Sequence, residues 1–142
     1  MVKYNISEKG KAWKIEREDE VLVGKSVGDK FEGKELMADL EGYELQITGG
    51  SDISGFPLSK DAEGIGLKRV LLKRGWGMRT KGEGLRLRKT VRGKSISNKV
   101  AQINIAVLKV GKKPLVEIFP EQNNPKEKKA EKKDEPKAEE TK

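Results

Sequence analysis

The chain has 142 residues, 38% charged, 34% hydrophobic and 5% aromatic, with a formal net charge of +8. That composition suits one domain with a small core, and no run of about eighteen apolar residues is present to span a membrane. Cysteine and histidine are both absent, which excludes disulfides, thiolate nucleophiles, thiolate-held zinc or iron–sulfur sites, serine triads and histidine-supported metal hydrolases. Only carboxylate, lysine or tyrosine chemistry remains for catalysis, so neither an enzyme, a cofactor nor a small-molecule substrate is expected.

The N-terminus, Met-Val-Lys-Tyr-Asn-Ile, lacks the apolar core of a secretory signal, and a cytoplasmic location is expected. Val2–Ile6 reads as a first strand closed by Lys9-Gly10. Ala12–Arg17 reads as its hairpin partner, with Trp13 and Ile15 on one face. Glu16, Glu18, Asp19 and Glu20 form the densest acidic cluster of the folded part; they could bind Mg²⁺, but a solvated hairpin tip is the simpler reading. Lys34–Leu40 is the one helical pattern, with Leu36, Met37 and Leu40 suitably spaced.

Tyr43–Thr48 alternates cleanly and runs into Gly49-Gly50, a turn or bulge signal. Leu67–Lys73 has an apolar middle flanked by charge. Gln102–Val110 and Leu115–Phe119 are two apolar segments joined by Gly111-Lys112-Lys113-Pro114, which reads as a hairpin with a basic tip. Five to seven short strands at this spacing predict a mainly β fold, a small closed or nearly closed barrel with one short helix. The domain should cover residues 1–120. Residues 121–142 hold seven lysines and seven acids and no apolar side chain larger than alanine apart from proline, the composition of a disordered tail.

The charge is not spread evenly. Between Lys68 and Lys99 stand twelve Lys and Arg residues against one acid, Glu83, a local balance of +11 that exceeds the net charge of the whole chain. Such segregation builds a local field suited to a polyphosphate. Within it, Leu85 to Gly93 reads Leu-Arg-Leu-Arg-Lys-Thr-Val-Arg-Gly. As a strand it buries Leu85, Leu87 and Val91, interrupted by Lys89, and presents Arg86, Arg88, Thr90 and Arg92, with guanidinium groups about 7 Å apart. Arginine grips phosphate with two parallel donors and stacks on bases. The competing reading is an edge strand guarded by charge against aggregation.

Upstream, Lys73 to Gly82 is a glycine-punctuated basic loop whose backbone can approach phosphate closely. Trp76 in it either stacks on an unpaired base or plugs the barrel end. The loop lacks the P-loop pattern and Gly82-x-Gly84 lacks a third glycine, so no nucleotide cofactor is expected. The candidate nucleic-acid-binding residues are therefore Lys68, Arg69, Lys73, Arg74, Trp76, Arg79, Lys81, Arg86, Arg88, Lys89, Arg92 and Lys94. No catalytic or metal-ligating residue is assigned.

Two further segments carry a resemblance. Gly49-Gly50-Ser51-Asp52-Ile53-Ser54-Gly55-Phe56-Pro57 and Arg88-Lys89-Thr90-Val91-Arg92-Gly93 occur in the order and separation found in the archaeal and eukaryotic family of small-subunit ribosomal protein number six. The resemblance covers about residues 1–119. It implies a small β-barrel bound to small-subunit ribosomal RNA among neighbouring ribosomal proteins, structural rather than catalytic. It gives Gly49–Pro57 the role of a shaped loop, in which Asp52 closes a local turn and Phe56-Pro57 anchors the return. The family's denser basic run before the Arg-Lys motif is diluted here by Met78, Thr80, Leu85 and Leu87. The tail has only Thr141 where the eukaryotic extension carries phosphorylated serines, so no kinase-regulated role is carried over. A free-standing RNA-binding module or translation factor is the alternative, and an RNA-directed carboxylate–metal enzyme ranks last.

Overall fold

A computed structural model of the chain describes residues 1–19 and 21–123. The elements in chain order are β1 (Val2–Glu8), β2 (Lys11–Arg17), β3 (Lys30–Glu32), α1 (Gly33–Leu36), a 3₁₀ turn (Ala38–Leu40), β4 (Glu44–Asp52), β5 (Leu67–Leu72), β6 (Leu87–Arg92), β7 (Val100–Lys109) and α2 (Leu115–Ile118). The first hairpin forms because Lys9 and Gly10 take φ of 45° and 81°. Two successive left-handed residues give the turn whose twist matches the strands.

Five strands pair in the order β2-β1-β7-β4-β3, with β1 and β7 parallel and the other neighbours antiparallel. One face of this sheet carries Tyr4, Ile6, Trp13, Ile15, Leu45, Ile47, Ile103 and Ile105, all buried. Leu22, Leu36, Leu40, Leu58 and Leu115 complete the same cluster. The period-two alternation puts the strand-borne apolar side chains on the inner face and leaves Lys3, Asn5, Lys14, Gln102 and Asn104 outside.

The expected barrel does not form. The strands make an open five-stranded sheet and a separate pair, β5–β6. β3 is only three residues long, and β5 and β6 satisfy each other's backbone groups, so no strand is left to join β2 to β3.

Two local expectations also change. Lys34–Leu40 is not one helix: Met37 leaves the helical region at φ −154°, ψ 139°, separating α1 from the 3₁₀ turn. Leu36 and Leu40 are nevertheless both buried. Leu115–Phe119 is not a hairpin strand but the single turn α2, entered through Pro114 at φ −68°. Proline favours a helix start because its fixed φ suits the first turn and its missing N–H has no partner there.

Of the turn or bulge expected at Gly49-Gly50, it is the bulge that forms. It lies within β4, where the register against β7 shifts between Ile47 and Gly49, a bulge that carries the strand on to Asp52. A Cβ on Gly50 would lie 2.3 Å from the Gln102 carbonyl oxygen, so only glycine admits this approach.

The acidic cluster sits where β2 ends rather than at the hairpin tip. Glu16 is paired with Lys14 at 2.5 Å, Glu18 and Asp19 are exposed, and Glu20 lies outside the described residues. Among the described residues no three acids converge to hold a metal ion. Just past the expected boundary at residue 120, the Gln122 amide accepts from Lys14 N–H at 2.7 Å and donates to its carbonyl at 2.8 Å. The remainder of the expected tail, 124–142, lies outside the described residues.

Candidate nucleic-acid interface

β5 and β6 pair in register from Leu67↔Arg92 to Leu72↔Leu87. Residues directly opposite share a face in an antiparallel ribbon. One face therefore carries Leu67, Arg69, Leu71, Arg88 and Thr90 together with Arg92, and the other carries Lys68, Val70, Leu72, Leu87, Lys89 and Val91. The loop closes back toward the second face, since a Cβ on Gly77 would lie 3.0 Å from Leu72 Cδ1. The first face stays open: Leu67 is 47% exposed and Leu71 55%.

Lys68, Arg69, Lys73, Arg74, Arg79, Lys81, Arg86, Arg88 and Lys89 are all exposed on this hairpin and its loop. Among the described residues none of these nine has a salt-bridge partner. Arg86 precedes β6 rather than lying in it. At the root of the loop Lys73, Arg74 and Arg86 converge with Gly84 and Leu85 around a shallow concavity. Three cations about one small hollow suit a phosphate group. Trp76, held between Gly75 and Gly77 at φ 131° and 75°, is 54% exposed. It stands outside the core, so its indole face is open for stacking.

Two expectations for β6 are corrected. Leu85 and Leu87 are half-buried rather than core residues, because the ribbon leans on no second sheet; Val91 alone is fully buried. Arg92 shares a face with Arg88, yet it is not exposed: it is 5% accessible. Where the ribbon meets the domain, its guanidinium Nη2 donates to Asp52 Oδ2 at 2.6 Å and Nη1 to the Ile65 carbonyl at 2.9 Å. Lys94, half-exposed, faces Glu63 at 3.7 Å.

Asp52 closes the local turn as expected. Gly55 N–H donates to its carbonyl at 2.9 Å, and its Oδ1 accepts from Ile53 N–H at 2.6 Å. What single-residue reading missed is that the Gly-Gly-Ser-Asp loop and the Arg-Lys-Thr-Val-Arg-Gly segment meet through this one ion pair. A lone acid in a glycine-rich turn and the last arginine before a glycine were its only signals. Gly93 is required at the same crossing, for a Cβ there would lie 2.0 Å from the Gly64 carbonyl oxygen.

The family model described as ribosomal protein S6e matches residues 2–120. The chain belongs to the ribosomal protein S6e family. It is 45% identical to small ribosomal subunit protein eS6 of Methanocaldococcus jannaschii over 110 residues, 78% of this chain and 82% of that protein. The protein of the same name from Archaeoglobus fulgidus is 50% identical over 99 residues, 69% of this chain and 75% of its own. That of Methanothermobacter thermautotrophicus is 42% identical over 117 residues, covering 80% and 91%. The S6e match takes in the whole β1–β7 scaffold and both motifs, and the family is one of structural ribosomal proteins rather than enzymes. Among the described S6e residues no helix is long and apolar enough to cross a membrane.

Proposed function

We propose that this chain is a structural constituent of the small ribosomal subunit in the cytoplasm, binding ribosomal RNA through the β5–β6 hairpin among neighbouring ribosomal proteins. The observation that carries the reading is the coincidence of charge and shape. Nine cations without ion-pair partners among the described residues stand on an exposed ribbon and loop, while the body of the fold interleaves its bases with acids. Phosphate contacts would come from both ribbon faces, with the Lys73–Arg74–Arg86 hollow seating one phosphate. Trp76 would stack on an unstacked base, and the S6e relatives, named as small-subunit proteins, supply the particle.

Sedimentation tests it. The native protein should travel with small subunits and resist a moderate-salt wash. Finding it at the top of a low-salt gradient would overturn the assignment, and release by the wash alone would identify a transiently bound factor instead.

A further inference from the structure

The hairpin that carries the charge is joined to the domain by little. A two-stranded ribbon is marginal by itself, and its backbone links to the body lie at one end, where Arg92 N–H donates to the Pro57 carbonyl and Arg92 accepts from Ser59 N–H, both at 2.9 Å. At that same residue the side chain ties three segments together. Arg92 belongs to the end of β6, Ile65 leads into β5, and Asp52 ends β4 in the main sheet.

The acceptor is fixed before the arginine reaches it. Asp52 N–H donates to the Phe56 carbonyl at 2.9 Å, Gly55 N–H closes the turn onto Asp52, and Ile53 N–H donates to both the Asp52 carboxylate and the Lys99 carbonyl. The planar guanidinium is held at two points, Nη2 on Asp52 and Nη1 on the Ile65 carbonyl, and its fixed donor geometry allows a narrow range of angles between them, so the donor inherits the orientation of the loop. A buried ion pair adds little net stability over an apolar pair of the same size, and its distinctive contribution is geometric.

From this we infer that Asp52 and Arg92 are positioning residues for RNA binding: their ion pair sets the direction in which the basic hairpin leaves the domain. The inference rests on the RNA-binding reading and deepens it. It makes a prediction opposite in sign to simple electrostatics. Neutralising Asp52 raises the net charge, which by itself favours RNA; if the pair aims the hairpin, affinity falls instead.

The chain has no cysteine, so spin labels can be placed at Leu71→Cys on the hairpin and Lys11→Cys at the start of β2 without background. The full chain should give one narrow distance distribution. Asp52→Asn and, separately, Arg92→Lys, which keeps the charge, should broaden or shift it at temperatures well below each variant's melting point. Titrated with a small-subunit ribosomal RNA transcript, both should bind about threefold to thirtyfold more weakly, the range for residues acting through others. Their salt slope should be shallower by about 1 to 2.

An unchanged distance distribution, or Asp52→Asn binding as tightly as the parent, overturns the positioning role. The Arg69→Ala, Arg88→Ala double variant, whose residues do not touch the pair, separates the two claims. If it binds normally, the RNA reading of the hairpin fails, and the distances alone still decide whether Asp52 and Arg92 aim it.

Discussion

Two arginines four residues apart on one strand face have opposite fates. Arg88 is exposed, whereas Arg92 is buried against Asp52. Removing one partner of a buried pair leaves the other charge desolvated and unpaired, which costs about 3–5 kcal/mol, so Arg92→Ala should lower the urea midpoint sharply. Arg88→Ala, on the same face, should stay within about 0.5 kcal/mol of the parent. Equal effects of the two substitutions would refute the burial of Arg92. Tyr43 offers a second test at this scale. Its hydroxyl donates to the Lys113 carbonyl. Burial first, and the Glu8 carboxylate second, raise its pKa above the ordinary 10.0. The folded state then holds the phenol proton more tightly than the unfolded chain. The resulting contribution is complete below pH 10.0, the unfolded value, and is lost as the pH rises from there through the folded value. Urea midpoints at about pH 9 and about pH 11 should diverge more for the parent than for Tyr43→Phe.

At the scale of elements, the main sheet and the hairpin follow different rules. Ile105 lies fully buried in β7, and Ile105→Ala should cost about 2–5 kcal/mol. Leu87, half-buried on the ribbon, should cost well under that when shortened, because solvent already reaches the site. Chemical denaturation of the two variants side by side checks the ranking. Trp76→Ala should leave stability unchanged and weaken RNA binding by about 1–3 kcal/mol if the indole stacks on a base. These contrasts show why part of the fold was legible. Period two in Val2–Ile6, Ala12–Arg17 and Tyr43–Thr48 reports a sheet with one wet and one dry face, and the structure has those strands. The same alternation in Leu85–Arg92 says which side chains share a face but not whether that face is covered, so it overstates the burial of Leu87 and understates that of Arg92. Barrel closure depends on which strands meet across long separations, and Leu115–Phe119 reads as a strand because four apolar residues broken only by Glu117 do not distinguish a helical turn from an edge.

Across the whole molecule, the free energies of folding and of binding are carried by different residues. The core cluster draws on β1–β4, β7 and both helices and takes nothing from β5. The exposed cations of the hairpin are not part of it. Salt should therefore act on the two processes separately. The hairpin charges are solvated in the folded and the unfolded chain alike, so their screening should barely move the urea midpoint between about 50 and 200 mM salt. Binding to ribosomal RNA should respond steeply over the same interval. If roughly five to eight of these cations meet phosphates, log K falls against log salt with a slope of about −4 to −6, using the single-strand coefficient. Each exposed arginine removed should make that slope shallower by about 1 with no change in midpoint. A slope near −1 in the parent would mean that the exposed charge meets solvent rather than RNA. A midpoint that moved with salt as strongly as the affinity would mean that hairpin and body are energetically one unit, which the shared Asp52–Arg92 contact alone is too local to make them.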